Sequence, residues 1–208
     1  EEIKMGSIKR TLISLLYGFF RLLPIKKKQV LLFSYYGEQY SGSPKYIGKY
    51  LLKKPDVDVV WAFVQPEKHP EINCKTVRYG HIGYYYCLAT AGTIITNYRM
   101  TADFVKRPGQ KYIQTWHSSL RLKMIEKDTE KNLPAHYVEM AKKDSSQLDY
   151  LLAGSEKSRE IFERAFWYQG EIVNTGTPQC DVLFEGRTPY KQKVCKFYNI
   201  PEECHIAL

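Results

Sequence analysis

The amino-terminal segment lacks an uncharged run long enough to cross a bilayer. Its uncharged stretch, Thr11 to Phe20, is ten residues, where a spanning helix needs about 20. No small-x-small cleavage site follows this stretch, so a secretory leader is not expected. The five cysteines (74, 87, 180, 195, 204) are odd in number, irregularly spaced and contain no Cys-x-x-Cys. That pattern argues against a disulfide framework and for a reducing compartment. The five histidines include no i, i+4 pair, so no metal site is expected. There is neither a Gly-x-Gly-x-x-Gly fingerprint nor a Walker loop, and therefore no glycine cradle for a dinucleotide or P-loop phosphate. Low-complexity and disorder-promoting composition is also missing, at 44% hydrophobic and 25% charged.

Two things are abundant. Aromatics make up 14%, with 17 tyrosines, a side chain that is apolar in body and polar at the tip and therefore suits clefts and interfaces. Basic residues exceed acidic ones, 31 to 22, and the +9 excess is local. Residues 1–28 and residues 106–127 carry +5 each, and the remainder sums to −1. A nucleic-acid binder carries a long basic face or a named module. Neither is present, so two anion-seeking patches are expected and nucleic acid is not.

Residues 8–23 read as a helix whose polar positions, Arg10, Ser14, Tyr17 with Gly18, and Arg21, fall at three- and four-residue steps. The rest of the circumference is apolar. With Phe19 and Phe20 as wedges and Lys26, Lys27 and Lys28 behind, this segment is expected to lie peripherally in an anionic membrane surface. The competing reading is a helix docked on the protein's own core. Residues 1–28 are thus taken as a membrane-surface helix with a basic linker.

From Gln29 onward strands alternate with helices. Gln29 to Tyr35 is a continuous apolar run suited to a strand buried on both faces. Ser43-Pro44 opens a helix, Val57 to Val64 is a strand, and a helix runs through Gly83 to Ala91. Strands are expected at Thr93 to Asn97, Lys111 to Thr115, Leu148 to Ala153 and Glu171 to Asn174, with helices at Pro134 to Lys143 and Ser155 to Ala165. This order predicts an α/β, doubly wound, Rossmann-like parallel sheet over residues 29–203, with ligands beyond the carboxyl ends of its strands. Gly37, Asn97, Ser118 and Thr177 all fall at such ends. So does His117, near Lys106, Arg107, Lys111, Arg121 and Lys123, cations that favour a neutral imidazole able to take a proton. That arrangement suggests general-base phosphoryl chemistry. Asp128 and Asp144 read as structural carboxylates or catalytic ones, and Gly176-Thr177-Pro178 as a turn setting the cleft wall.

Gln110 to His117, continuing through Leu122 to Asp128, resembles the signature of the CDP-glycerol glycerophosphotransferase family of teichoic acid polymerases and primases. Ser34 to Pro44, Lys142 to Asp144 running into Asp149 to Leu152, and Gly176-Thr177-Pro178 with Asp181 agree in the same order. The resemblance implies the amino-terminal, acceptor-side half of a GT-B fold. His117 would be the base that deprotonates the acceptor hydroxyl, and Lys123 and Arg121 would steady phosphate charge. It further implies glycerol phosphate, or a related polyol phosphate, moving from CDP-glycerol to a lipid-linked acceptor with release of CMP. The nucleotide would be held outside this chain, which would carry no cofactor, would be inactive alone, and would open a second domain at residues 204–208. Two positions depart from the family pattern. Ser118 adds a side chain where Gly is common, and Gln179 removes a cation where Arg is usual. A GT-B glycosyltransferase using a nucleotide sugar and a non-catalytic membrane-bound anion-binding domain are the alternatives.

Overall fold

The computed structural model describes residues 12–118, 123–184, 186 and 188–206. Within them, seven strands form one parallel sheet in the order β3-β2-β1-β4-β5-β6-β7. The strands are β1 (Lys26–Phe33), β2 (Asp58–Phe63), β3 (Lys75–Arg78), β4 (Ala91–Thr96), β5 (Lys111–Gln114), β6 (Tyr150–Ala153) and β7 (Glu171–Asn174). The helices are α1 (residues 12–20), α2 (Gly42–Leu51), α3 (Ile82–Thr90), α4 (Ala135–Gln147), α5 (Glu156–Ala165) and α6 (Thr188–Tyr198). Strand order reverses beside β1, because β2 and β3 build out on one side and β4 to β7 on the other. A crevice therefore opens beyond the carboxyl ends of β1 and β4.

The central strands are apolar on both sides because both faces are covered. Leu31, Phe33, Val60, Ala62, Ile94, Tyr112 and Leu151 meet Tyr84 and Leu88 of α3 and Phe162 of α5 on one face. On the other, Val30, Leu32, Val59, Trp61, Phe63 and Ile95 meet Ile47 and Leu51 of α2. The alternation follows the two-residue period of a strand. Ser155 caps α5, accepting from the Ser158 amide at 3.1 Å, a common way to satisfy a first-turn N–H.

Several boundaries differ from the sequence reading. β1 begins at Lys26, so the expected basic linker is largely strand: Lys26 pairs with Ala91, and Lys28 reaches Asp56 at 2.9 Å. β3 was not foreseen, having four residues of which only Val77 is buried. Neither was α6. A turn at residues 202–203 is closed by the Cys204 amide on the Pro201 carbonyl, residues 204–206 carry no strand, and 207 and 208 lie outside the described residues.

The largest correction concerns α1. Residues 8–11, including Arg10, lie outside the described residues. Tyr17, read as part of the polar stripe, is buried and packs on Tyr85 at 5.8 Å. Phe20, expected as a membrane wedge, meets the edge of Tyr86 at 5.4 Å. The Arg21 guanidinium sits 5.6 Å over the Tyr17 ring and donates to the Val105 carbonyl. Leu12, Leu15, Phe19 and Leu22 remain exposed along the opposite stripe. A helix apolar around most of its circumference has two such stripes, and the core takes one.

Candidate functional site at the carboxyl edge of the sheet

Three bulky residues at the carboxyl edge adopt left-handed backbone conformations: Tyr35 (φ 50), Tyr36 (φ 56) and Trp116 (φ 53). Such torsions disfavour L side chains and persist only where surrounding contacts impose them. The Tyr35 amide donates to Asn97 Oδ1 at 2.9 Å, tying the end of β1 to the end of β4 across the crevice. The Trp116 amide donates to Gln114 Oε1 at 2.9 Å, while Gln114 Nε2 donates to the Tyr98 carbonyl at 2.7 Å. Tyr98 is the hub of an aromatic cluster, with ring centroids 5.0 Å from Tyr35, 5.1 Å from Tyr36 and 4.9 Å from His117. Trp116 covers the imidazole from 4.2 Å.

His117 is half-buried in this setting and its pKa is lowered. Burial is the main cause and Lys123 adds a smaller push, while the Asn97 carbonyl and the Glu126 charge act in the other direction. A neutral ring is therefore favoured, though by desolvation rather than by the ring of cations read from the sequence. The cations at 106–111 lie at the far end of β5. Lys106 and Lys111 contact Asp149 at 2.6 and 3.5 Å, holding its carboxyl below the ordinary range. Arg107 donates to the Ala89 carbonyl at 2.7 Å. His117 Nδ1 is buried with no hydrogen-bond partner among the described residues.

The remaining sequence candidates divide. Lys123 and Ser118 are exposed near His117 in the chain, and Thr177 is half-buried in the turn after β7. Asn97 is fully buried. Gly37 is buried too, and the space beside its Cα is filled by Tyr79 and the Val64 amide, so it shapes the turn rather than lining the crevice. Arg121 lies outside the described residues. Among the described residues no cluster of His, Cys, Asp or Glu could hold a metal ion. A cavity of about 830 Å³ lies between α2 and α6, lined by Tyr46, Leu183, Tyr190, Val194 and Tyr198, and includes none of the candidate residues.

One buried ion network was not foreseen in the sequence. Arg99, two residues past Asn97 and 2% exposed, is held by two carboxylates: Nη2 lies 2.8 Å from Glu126, and Nη1 lies 3.0 Å from Asp144 and 2.7 Å from Ser145 Oγ. Tyr137 donates to Glu126 at 2.6 Å, and Tyr112 and the Met100 amide donate to Asp144 at 2.9 and 3.0 Å. Burial pushes the Asp144 carboxyl up, while Arg99 and the Met100 and Tyr112 donors act in the other direction. Glu126 (φ 52) closes the loop that begins at His117, so the network joins the end of β4 to the far end of that loop. An arginine beside a strand end hints at a site, but nothing local shows that partners 27 and 45 residues downstream converge on it. Asp128, the other carboxylate singled out, is bound by Arg164 through two contacts of 2.8 Å.

An open parallel sheet in this strand order, with polar groups gathered beyond its strands at the switch point, defines a Rossmann-like α/β ligand-binding domain. The chain belongs to the CDP-glycerol:poly(glycerophosphate) glycerophosphotransferase family, whose model matches residues 15–208. It is 31% identical over 194 residues to the teichoic acid poly(glycerol phosphate) polymerase of Staphylococcus epidermidis, covering 88% of this chain and 27% of that protein. It is 28% identical over 219 residues to the teichoic acid glycerol-phosphate transferase of Staphylococcus aureus, covering 98% and 55%. Among solved structures, the wall teichoic acid polymerase TagF superposes with a TM-score of 0.82 at 28% identity, over 95% of this chain and 51% of that one. The chain thus spans from about a quarter to just over half of the length of these relatives.

Proposed function

We propose that this chain is the acceptor-side part of a membrane-peripheral transferase that moves glycerol phosphate, or a related polyol phosphate, from a CDP-activated donor to a lipid-linked acceptor. The observation that carries the reading is a half-buried, neutral-favoured His117 at the carboxyl end of β5, inside the span matched by the family. In this mechanism the imidazole accepts the proton of the acceptor's terminal hydroxyl. The oxygen attacks the β-phosphorus of the donor, the bond to CMP breaks, and CMP departs with the bonding electrons. Lys123 steadies the charge that builds on the transferring group. The donor nucleotide binds in a part of the enzyme outside residues 1–208, a reading supported by the chain spanning only 27% and 55% of the length of two of its relatives.

Attachment at the cytoplasmic face is assigned to the exposed stripe Leu12, Leu15, Phe19 and Leu22 with the exposed cations Lys26 and Lys27. No helix among the described residues is long and apolar enough to cross a membrane. The complete protein, incubated with a lipid-linked acceptor and either CDP-glycerol or a nucleotide sugar, should release CMP from the former alone. Release of a nucleoside diphosphate from the sugar donor overturns the reading in favour of a glycosyltransferase. Inertness with both would leave an anion-binding domain.

A further inference from the structure

The amino-terminal end of α2 lies beside Asn97 at the end of β4, and its cap residue Ser41 makes no side-chain capping hydrogen bond. Ser41, at the cap position, turns its hydroxyl to Gln39 Oε1 at 2.9 Å, and its carbonyl is held by Ser34 Oγ at 2.7 Å. The first-turn amides thus keep the partial positive charge of a helix start, which draws anions. Asn97 supplies a second, independent pointer. Because its Oδ1 accepts from the Tyr35 amide, its orientation is fixed and Nδ2 must face the other way. Nδ2 is buried, has no partner among the described residues, and lies 2.9 Å from where a side chain at Gly42 would begin. Gly42 itself has φ +66, a conformation that disfavours such a side chain. Gln179 Oε1 stands 3.7 Å from the same point, a neutral oxygen turned towards the helix start.

We propose that this is an oxyanion subsite: a phosphate oxygen displaces the Gln179 amide and is bound by Asn97 Nδ2 and the first-turn amides of α2. The phosphate is the acceptor's own phosphodiester, next to the hydroxyl that reacts, because the residue after Asn97, Tyr98, packs its ring 4.9 Å from the His117 imidazole. The identity of the anion rests on the transferase reading, whereas the existence of the subsite does not.

Asn97→Asp is the informative variant, since it keeps an acceptor for the Tyr35 amide and replaces only the donor, with a charge that repels anions. In the complete protein it should weaken binding of sn-glycerol 3-phosphate at least tenfold by calorimetry, and raise the KM for the acceptor similarly, with the KM for CDP-glycerol within twofold. Equal sn-glycerol 3-phosphate binding in the folded variant overturns the subsite, and a rise confined to the KM for CDP-glycerol overturns its assignment to the acceptor. Should the variant not fold, the side-chain amide signals of Asn97 in the unaltered protein decide. They should shift with sn-glycerol 3-phosphate but not with glycerol, and silence at saturating sn-glycerol 3-phosphate refutes the proposal. Binding of sn-glycerol 3-phosphate without CMP release from CDP-glycerol would sink the transferase reading and leave the subsite standing.

Discussion

Replacing Arg99 by Met tests how the buried ion network holds this edge together. Methionine roughly fills the apolar space of the arginine stem, whose guanidinium lies over the Phe166 ring, 4.6 Å from its centroid. What disappears is the cation that, among the described residues, pairs with two buried carboxylates, Glu126 at 5% and Asp144 at 2% exposure. Removing one partner from a buried pair costs about 3–5 kcal/mol, because an uncompensated charge stays behind. For a chain of this size that lowers Tm by roughly 6–20 °C. The loss should depend on pH with a defined sign. Burial already raises the folded-state pKa of Asp144 above its unfolded value, and without the guanidinium nothing offsets that rise. The native state then binds more protons than the unfolded one, so stability rises as pH falls through that window, by about 1.4 kcal/mol per pH unit for this carboxyl. Thermal unfolding followed by circular dichroism at pH 7 and pH 5.5 measures both effects. A Tm loss below about 2 °C, or one no smaller at pH 5.5, would refute the reasoning. Adding Glu126→Gln and Asp144→Asn to the variant should recover much of the lost stability, since neutral amides leave no buried charge to compensate.

Three further outcomes are expected. Replacing His117 with Ala should lower turnover by about two to four decades with the fold intact; in the unaltered enzyme the acid limb of kcat/KM should fall below the usual imidazole value of 6.5, because burial disfavours the charged ring, and a limb at or above it contradicts the assignment. Changing Leu12, Leu15, Phe19 and Leu22 together to Ser should abolish sedimentation with anionic vesicles and leave Tm nearly unaltered, whereas Tyr17→Ala should lower Tm and leave sedimentation intact; the reverse pattern would mean the two stripes are assigned wrongly. Gly92→Ala in β4 should destabilise by about 1–3 kcal/mol in urea titration, because its Cβ would stand 2.6 Å from the Lys27 carbonyl oxygen, backbone that yields only by moving β1.

Local patterning in the sequence was sufficient to determine the central strands of the sheet. Val30 to Phe33 and Val59 to Phe63 are apolar without alternation, which only a strand covered on both faces tolerates, and the helices between them impose parallel pairing. The position of His117 past a strand end was legible for the same reason. Direction of burial was not. Tyr17 and Phe20 look like members of one continuous belt until α3 presents Tyr85 and Tyr86 to a single side of α1. The short, polar-flanked β3 carries too little pattern to stand out, and exists because β2 offers it an edge. Charge was misread most, since proximity in sequence is not proximity in space. A strand rises about 3.3 Å per residue, so Lys106 to Lys111 and His117 lie at opposite ends of β5, and the ring's neutrality comes from desolvation instead. Arg99, Glu126 and Asp144 are separated by 27 and 45 residues and meet only because β4, the loop after β5 and α4 converge. The orphan Asn97 Nδ2 at the start of α2 arises in the same way, from the chain reversing its strand order beside β1.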